Sequence, residues 1–356
     1  MPAATPVARI NAIASASPPT DVEADYCRWA HDHLTDPRDA RLFARMADRS
    51  GIEHRWSVLG EQASLEPGRF YTRDAVPTTA ERMAVYAREA PRLAIEAIHR
   101  LPDLGHVTHL VVASCTGFVA PGIDQIIARE LGLPADVERL LVGFMGCYAG
   151  ATALRTAGQL ARATEGARVL VVAVELCSLH LQKDAALEAT LAMAQFSDGA
   201  AAAIVSTEGP GLALGDSLSA ALEDSDGLIT WTIGDTGFLM NLSGEVPGRL
   251  ARALADPELT GQILDGADAD AIDAWAVHPG GKSILDAVER GFGLPGEALA
   301  ESREVLRAFG NMSSATILFV LERIMARKPL RGIALAFGPG IAMEGFRFGW
   351  IEDDAG

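Results

Sequence analysis

The chain has 356 residues, 49% of them hydrophobic, enough to bury a large core or two fused half-domains. Its net charge of −17 argues against nucleic-acid binding, which needs clustered lysine and arginine, and it means that an anionic ligand needs a local basic patch. No apolar run approaches the roughly 20 residues that span a bilayer and no signal-peptide core begins the chain, so we expect a cytoplasmic protein.

Short apolar runs alternate with stretches of helical period along the chain. The first 40 residues, rich in proline, alanine and aspartate, are interpreted as a peripheral arm. Apolar runs that suit strands buried on both faces follow at 108–114, 168–175, 201–206, 272–278 and 331–338. Helical stretches lie between them at 121–132, 148–164, 283–293 and 315–328. This alternation predicts an α/β protein with much parallel sheet.

The order of elements repeats in two halves. The first half has a strand, an SCTG loop, a helix, an MGCYAG loop and a helix. The second has a strand, an HPGG loop, a helix, a GNMSSA loop and a helix. Sequence identity between the halves is negligible, so the repeat is a hypothesis about architecture. It predicts half-domains at residues 1–220 and 221–356, with a seam in the polar segment 222–231.

One cysteine of four has a setting that favours reactivity. The cysteines are widely separated and form no CxxC pair, so we expect reduced thiols. Gly146 allows a tight backbone before Cys147, and a predicted helix follows, whose N-terminus favours a thiolate. The alternative is that Cys147 is a small buried hydrophobe, as most buried cysteines are.

A histidine and an asparagine could assist this thiol, since a reactive thiolate needs a cationic or proton-accepting neighbour. His278 ends an apolar strand and precedes Pro-Gly-Gly, which would place it at the carboxyl edge of the sheet, where open α/β sheets bind ligands. Asn311 lies between a glycine and small hydroxyl residues at the head of an apolar helix. The alternatives are a satisfied core histidine and a plain helix cap.

Four segments carry a family resemblance: GFMGCYAG, WAVHPGGKSILDAVE, FGNMSSATILFVLE and AFGPGIAMEGF. In this order and at these separations they resemble the chalcone and stilbene synthase superfamily, the type III polyketide synthases, over nearly the whole chain. The resemblance implies a thiolase-like five-layered αβαβα fold made of two similar halves, and a catalytic triad of Cys147, His278 and Asn311. The AFGPG segment, with Gly338 and Pro339, matches the loop that shapes the family's active-site floor. It lacks the GxGxxG spacing of a dinucleotide loop.

The resemblance also implies a chemistry. An acyl-CoA starter is loaded on Cys147 by a thiolate paired with an imidazolium, malonyl-CoA is decarboxylated, and repeated Claisen condensation precedes cyclisation to a resorcinol or pyrone. Hydrogen-bond donors from His278 and Asn311 stabilise the enolate oxygen, each worth about 3 kcal/mol. CoA thioesters are substrates, and no metal or other cofactor is expected. Arg45 and Arg49 fall where the family keeps CoA-contacting residues, with a solvated helix face as the alternative.

The pocket positions implied by the resemblance differ from the plant pattern. Phe196 matches the gatekeeping phenylalanine, with core packing as its alternative. Other expected pocket residues are Cys115, Cys177 and His180 in place of threonines, Trp231 in place of a glycine, Met240 in place of a second phenylalanine, and Ser313. These changes disfavour coumaroyl starters. The segment 231–247 resembles bacterial enzymes that make alkylresorcinols and alkylpyrones from fatty acyl starters.

The resemblance further implies a homodimer. The family bends its chain at the dimer interface, at the position of Ala120 and Pro121. Ala120 replaces the methionine that reaches into the partner's pocket in the plant enzymes. Because only X-Pro bonds adopt the cis form at low cost, we expect this peptide bond to be cis.

Other functions stay open at this point. Cys115 also resembles the naphthalene-forming enzymes that use malonyl-CoA alone. An initiating ketoacyl-ACP synthase of fatty-acid synthesis shares the triad and the fold, but it should carry an HQAN-like motif and need acyl-carrier protein. A Cys-His-Asn hydrolase would pass the acyl group to water, which the apolar setting of Cys147 disfavours. A binding protein without catalysis is hard to reconcile with an intact triad.

Overall fold

The computed structural model describes residues 6–72, 75–182 and 186–353. Its strands are β1 (Arg9–Ala16), β2 (Thr20–Asp21), β3 (Trp56–Ser57), β4 (His109–Ser114), β5 (Glu138–Gly143), β6 (Val169–Leu176), β7 (Asp198–Ser206), β8 (Gly211–Ala221), β9 (Ile229–Gly234), β10 (Gly237–Leu242), β11 (Ala274–Val277), β12 (Gly332–Gly338) and β13 (Ala342–Ile351). Its helices are α1 (Glu23–His33), α2 (Pro37–Arg49), α3 (Thr79–His99), α4 (Ile123–Glu130), α5 (Ala149–Ala163), α6 (Leu187–Met193), α7 (Val246–Leu254), α8 (Pro257–Leu264), α9 (Lys282–Phe292), α10 (Ala300–Phe309) and α11 (Thr316–Met325).

Nine strands form one continuous sheet in the order β11-β12-β13-β8-β1-β7-β6-β4-β5. β4 runs parallel to β5 and β6, and β11 runs parallel to β12. The pairs between β6 and β12 are antiparallel. The expectation of much parallel sheet is therefore correct only at the two ends of the sheet. Short connections, such as the one between β12 and β13, leave no room for a crossover helix.

The sheet encloses a central layer of two helices, α5 and α11. Along β4, Val111 and Ala113 pack on this layer, whereas Leu110 and Val112 pack outward on α3, as the two-residue period of a strand requires. The outer face of β11 and β12 packs on α7, α9 and α10. The five layers are, in order, helices α3 and α4, the part of the sheet that contains β4, helices α5 and α11, the part of the sheet that contains β11 and β12, and helices α7, α9 and α10. This five-layered α/β arrangement confirms the predicted fold class.

The N-terminal segment is not the peripheral arm that composition suggested. β1 lies in the middle of the sheet, paired with β7 on one side and β8 on the other. Ile10 is fully buried, and Ala14 and Ala16 are nearly so. Small alternating residues such as alanine fill a tightly packed central strand without producing the apolar run by which the other strands were recognised.

Two further features concern the sequence-based expectations. The Ala120–Pro121 peptide bond is cis, which confirms that prediction. None of the helices in the described ranges combines the length and apolar character that crossing a bilayer requires. The boundary between half-domains at residue 220 stays a prediction.

Candidate active site

Cys147 lies in a short 3-10 turn, Gly146–Tyr148, that leads directly into α5. Gly146 has a φ of 77°, in the left-handed region that favours glycine, and a Cβ there would lie 2.6 Å from Pro339 Cδ. A Cβ at Gly338 would lie 3.4 Å from the backbone nitrogen of Cys147. The two glycines therefore let the floor loop approach the thiol closely. Cys147 is half-buried and lines a cavity, as a nucleophile at a helix start would.

Asn311 holds the start of the turn before α11, and its side chain also lines the cavity that contains the Cys147 thiol. Its Oδ1 accepts a hydrogen bond from the backbone nitrogen of Ser313 at 2.8 Å, which holds the start of the turn before α11, whereas the cap positions of that turn and of α11 are Met312 and Ala315. Its Nδ2 donates to the carbonyl of Gly280 at 3.1 Å. The Asn311 side chain also lines the Cys147 cavity and acts to lower the pKa of the thiol. The structural role of Asn311 therefore uses its Oδ1, and its predicted catalytic role would use its Nδ2.

His278 follows the last residue of β11 at the carboxyl edge of the sheet, and its backbone nitrogen donates to Leu335 O at 2.8 Å. The imidazole is fully buried, and neither ring nitrogen has a hydrogen-bond partner among the described residues. A Cβ on Gly280, a cavity-lining residue, would lie 3.7 Å from His278 Nε2, so the ring lies directly behind this glycine. The alternative of a satisfied core histidine is wrong, because no described residue pairs with either ring nitrogen. An unpaired buried imidazole costs stability, so a purely structural histidine would ordinarily be paired.

Burial sets the charges of this group. It raises the pKa of the Cys147 thiol to about 11, although hydrogen bonds from Ser313 and Asn311 act in the opposite direction. It lowers the pKa of His278 to about 3. Desolvation therefore favours the neutral thiol and the neutral imidazole in the free protein, and the expected thiolate–imidazolium pair stays a prediction. Desolvation of both charges outweighs the contribution of the helix N-terminus.

The raised thiol pKa predicts the pH dependence of alkylation. Because only the thiolate reacts, and its fraction grows as pH rises towards the pKa, we expect iodoacetamide to alkylate Cys147 about tenfold faster per pH unit above pH 7. Peptide mass spectrometry measures this rate. A Cys27→Ser background removes the other half-buried thiol. A rate that is constant between about pH 6 and 8 would instead show a preformed ion pair.

Most of the predicted pocket residues line the cavity of about 270 Å³ that contains the Cys147 thiol. It is bounded by Cys115, Cys147, Cys177, Phe196, Trp231, Met240, Asn311, Ser313, Gly338 and Pro339, among others. Cys115 Sγ lies 3.2 Å from Ser313 Oγ. The first and second halves of the chain therefore both contribute to one site.

A second cavity, of about 500 Å³, adjoins the first. Cys177, Phe196, Trp231 and Met240 line both, so these four predicted pocket residues form the partition between the two cavities. Tyr26, Leu59 and Leu65 are among the residues that line only the second cavity. The sequence offered no signal for a second cavity, because its walls come from separate parts of the chain.

His180 lies outside the Cys147 cavity, which corrects its expected place there. It lines the second cavity and is held on both sides. Its Nε2 donates to Thr116 O at 2.7 Å, its Nδ1 accepts from the backbone nitrogen of Phe238 at 3.0 Å, and its ring stacks on Phe238. Burial lowers the His180 pKa to about 3. His180 therefore positions β10, and the indole of Trp231 anchors β9 by donating to Cys115 O at 2.9 Å.

Glu175 is a site residue that sequence reasoning missed. It is fully buried at the end of β6, and burial raises its pKa. Its carboxylate accepts hydrogen bonds from the backbone nitrogen of Cys115 at 3.0 and 3.1 Å, from Thr116 Oγ1 at 2.7 Å and from Ser314 Oγ. Glu175 thus joins the loop after β4 to the turn before α11. The sequence did contain a signal for Glu175, because it is a charged residue near the end of the apolar strand β6, just as His278 follows the apolar strand β11.

The predicted CoA-contacting arginines lie near the opening of the first cavity. Arg45 and Arg49 are exposed on α2, and neither makes an ion pair with a described residue. Met46, between them in sequence, lines the Cys147 cavity. The two arginines therefore lie on the helix that contributes Met46 to the cavity wall, and their contact with CoA stays a prediction.

Two family models match the chain. The N-terminal domain of chalcone and stilbene synthases matches residues 3–209, and the C-terminal domain matches residues 213–349. The chain belongs to the chalcone and stilbene synthase family. It is therefore a type III polyketide synthase, an acyl-transferring condensing enzyme.

This synthase is similar to characterised and solved relatives along almost its whole length. It is 32% identical to the Mycobacterium tuberculosis protein named alpha-pyrone synthesis polyketide synthase-like Pks18, over 98% of this chain and 92% of that protein. The crystal structure of PKS-I from the brown alga Ectocarpus siliculosus matches with a TM-score of 0.89 and 29% identity, covering 99% of this chain and all of that one. The type III domain of Steely1, a type I/III hybrid from Dictyostelium, matches with a TM-score of 0.84 and 27% identity, covering 96% and 99%.

Proposed function

We propose that Cys147, His278 and Asn311 are the catalytic residues of this synthase. The observation that carries the proposal is their convergence: Cys147 and Asn311 line one cavity, and His278 is a buried imidazole with two unsatisfied nitrogens directly behind Gly280 of that cavity. Among the described residues these ring nitrogens find no partner, so they are free to serve the thiol and the substrate. Cys147, His278 and Asn311 are far apart in the sequence, so local chain geometry does not explain why they meet at one cavity.

Loading starts from the neutral state of the pair. The Cys147 sulfur attacks the thioester carbonyl of the starter as its proton passes to the His278 imidazole. The bond from the acyl carbon to the CoA sulfur breaks, and CoA leaves as a thiol with the proton that His278 held. The ion pair exists only during this step, which agrees with a raised thiol pKa and a lowered imidazole pKa in the free enzyme.

Extension uses the same polar groups for a different charge. When malonyl-CoA loses CO2, the electrons of the broken C–C bond pass to the thioester, and negative charge develops on its oxygen. The Asn311 amide and a protonated nitrogen of neutral His278 can donate to that oxygen. The enolate carbon then forms a bond to the acyl carbon, the bond from that carbon to the Cys147 sulfur breaks, and the sulfur leaves as a thiolate that takes a proton from water. No other cofactor enters this scheme, in which CoA thioesters are the substrates.

The starter we propose is a fatty acyl group, and the product is an alkylpyrone or alkylresorcinol. The second cavity supports this choice, because about 500 Å³ of mostly apolar space adjoins the Cys147 cavity across four side chains. A relative named for alpha-pyrone synthesis adds support. A shift of the partition residues Phe196 and Met240 would let an acyl chain on Cys147 extend into the second cavity.

Filling the second cavity should shorten the accepted starter. Ala189 lines this cavity from α6, and we expect Ala189→Phe to lower the use of hexadecanoyl-CoA about tenfold relative to octanoyl-CoA. The matched control is Ala186→Phe, an exposed position three residues earlier that lines neither cavity. Product mass spectrometry with labelled malonyl-CoA gives the ratio. An unchanged ratio would contradict the starter assignment, and naphthalene-type products from malonyl-CoA alone would favour the malonyl-only alternative that Cys115 suggests.

For CoA itself, we propose that Arg45 and Arg49 contact the phosphates. Both side chains are exposed, and a chain with net charge −17 needs such a local positive site for an anionic substrate. Replacing both by glutamine should raise KM for acyl-CoA and leave kcat unchanged, because the phosphates are bound equally in ground and transition states. A fall in kcat alone would argue against this role.

We also propose a homodimer formed through β5. This edge strand is exposed at five of its six positions, and Leu140, Leu141 and the nearby Phe118 are each 44 to 46% exposed. Exposed apolar edge strands invite pairing with another chain. We expect Leu140→Asp/Leu141→Asp to convert a dimer to a monomer in sedimentation velocity. A monomeric wild-type protein would contradict the proposal.

A further inference from the structure

The exposed face of α2 carries a row of four arginines. Arg38, Arg41, Arg45 and Arg49 are spaced three, four and four residues apart, which places them along one side of the helix. All four are exposed, and none forms an ion pair with another described residue. The helix also carries Asp39 and Asp48, neither of which pairs with them. At the rise of an α-helix, the row is about 16 Å long.

Such a row is unusual in this protein. Asp and Glu number 47 against 30 Lys and Arg, so carboxylates are available to pair with most cations. Some exposed arginines elsewhere do so, since Arg28 pairs with Asp25, Arg88 with Glu89 and Arg327 with Glu301, but no other helix carries four unpaired arginines in a row among the described residues. The face of α2 therefore keeps a positive surface in a strongly acidic molecule.

The row also borders an apolar strip and the active site. Leu42 is 37% exposed and Met46 is 47% exposed, and Met46 lines the Cys147 cavity. Arg45 and Arg49 flank Met46 in sequence and suffice for the phosphates of one CoA. Arg38 and Arg41 continue the row away from that end, so a partner that contacts all four arginines is larger than a nucleotide.

We propose that α2 docks an acidic acyl-carrier domain, which delivers the starter on its phosphopantetheine arm. This inference rests on the proposed function of Cys147. An acidic helix of the carrier would complement the arginine row, and its apolar residues would meet Leu42 and Met46. A membrane would not account for the position of the row beside the cavity, which Met46 of the same helix lines.

The transfer uses the loading chemistry already described. The Cys147 sulfur forms a bond to the acyl carbon, and the bond from that carbon to the pantetheine sulfur breaks. The proton of the Cys147 thiol ends on the pantetheine thiol, and the carrier leaves in its free form. CoA and the carrier present the same arm, so one cavity serves both donors, and only the docking surface differs.

The test compares two acyl donors on one enzyme. The probes are dodecanoyl-CoA and a fatty-acid-synthesis acyl-carrier protein charged with a dodecanoyl group, and intact-mass spectrometry follows acylation of Cys147. We expect Arg38→Glu/Arg41→Glu to slow transfer from the carrier about tenfold or more while transfer from CoA changes less than about twofold. Salt should slow transfer from the carrier in the wild type more than in the variant. The matched control is Arg88→Glu/Arg92→Glu on α3, an equal charge change at exposed positions, which should affect neither donor.

Each other outcome contradicts a different statement. Acylation from CoA but not from the carrier in the wild type would overturn the docking proposal and leave the proposed function intact. If Arg38→Glu/Arg41→Glu slowed acylation equally with both donors, or slowed it with neither donor, the docking proposal would also be overturned. Loss of binding to phosphatidylglycerol vesicles in the variant, with unchanged carrier transfer, would assign the row to a membrane instead. Acylation of Cys147 by neither donor would overturn the proposed function as well.

Discussion

Replacing Cys147 with alanine is expected to abolish covalent loading of the enzyme by an acyl-CoA. The thiol lines the cavity together with Asn311 and Ser313, and it lies where two glycines keep the floor loop close. Removal of this sulfur removes the atom to which the acyl group is transferred. Intact-mass spectra after incubation with dodecanoyl-CoA should show a single acyl adduct on the wild type and none on Cys147→Ala.

Cys115 provides a matched control for this experiment. It lines the same cavity and lies 3.2 Å from Ser313 Oγ, but burial and the Glu175 carboxylate hold its pKa well above the ordinary value. Cys115→Ala should therefore load at close to the wild-type level. An adduct on the Cys147→Ala protein, or loss of the adduct on Cys115→Ala alone, would move the nucleophile from Cys147 to Cys115.

The second large effect is expected at Asn311. In Asn311→Asp the oxygen that accepts from the Ser313 backbone is kept, so the hydrogen bond that holds the start of the turn before α11 survives. The amide donor is lost, and the new carboxylate faces both the Gly280 carbonyl and the developing enolate charge. Decarboxylation of malonyl-CoA should fall about 100-fold or more, which is the usual loss for one such donor. Release of labelled CO2 measures this rate.

Loading separates a chemical role of Asn311 from a structural one. Acylation of Cys147 needs no enolate, so it should fall much less than decarboxylation in Asn311→Asp. A circular dichroism spectrum and a melting temperature close to wild type establish that the variant is folded. If a folded Asn311→Asp variant decarboxylated malonyl-CoA near the wild-type rate, Asn311 would have only a structural role in the turn before α11.

Several parts of this molecule could be predicted from the sequence because their signal is local. The strands β4, β6 and β12 are continuous apolar runs, and buried strands of this kind need few other cues. The candidate triad was found because each residue ends or begins such an element beside glycines and small residues. Motif order then joined three distant positions into one site.

Other parts depend on tertiary contacts that no local pattern reports. β1 contains arginine, asparagine and serine among its alanines, and it is a central strand only because β7 and β8 flank it. The second cavity depends on the positions of α1, α6 and the β9–β10 hairpin. The charge state of the site was also beyond the sequence, because the helix start predicts a lowered Cys147 pKa and burial reverses the sign.

The most direct test of the account is product formation from pure enzyme, dodecanoyl-CoA and malonyl-CoA labelled in both the methylene and the free carboxyl carbon. The account predicts labelled CO2 and an alkylpyrone or alkylresorcinol whose mass contains the dodecanoyl carbons and labelled two-carbon units. The labelled product should disappear in Cys147→Ala, although this variant keeps the Asn311 and His278 donors that decarboxylation uses. Free dodecanoic acid without labelled CO2 or any labelled product would contradict the account and show a hydrolase.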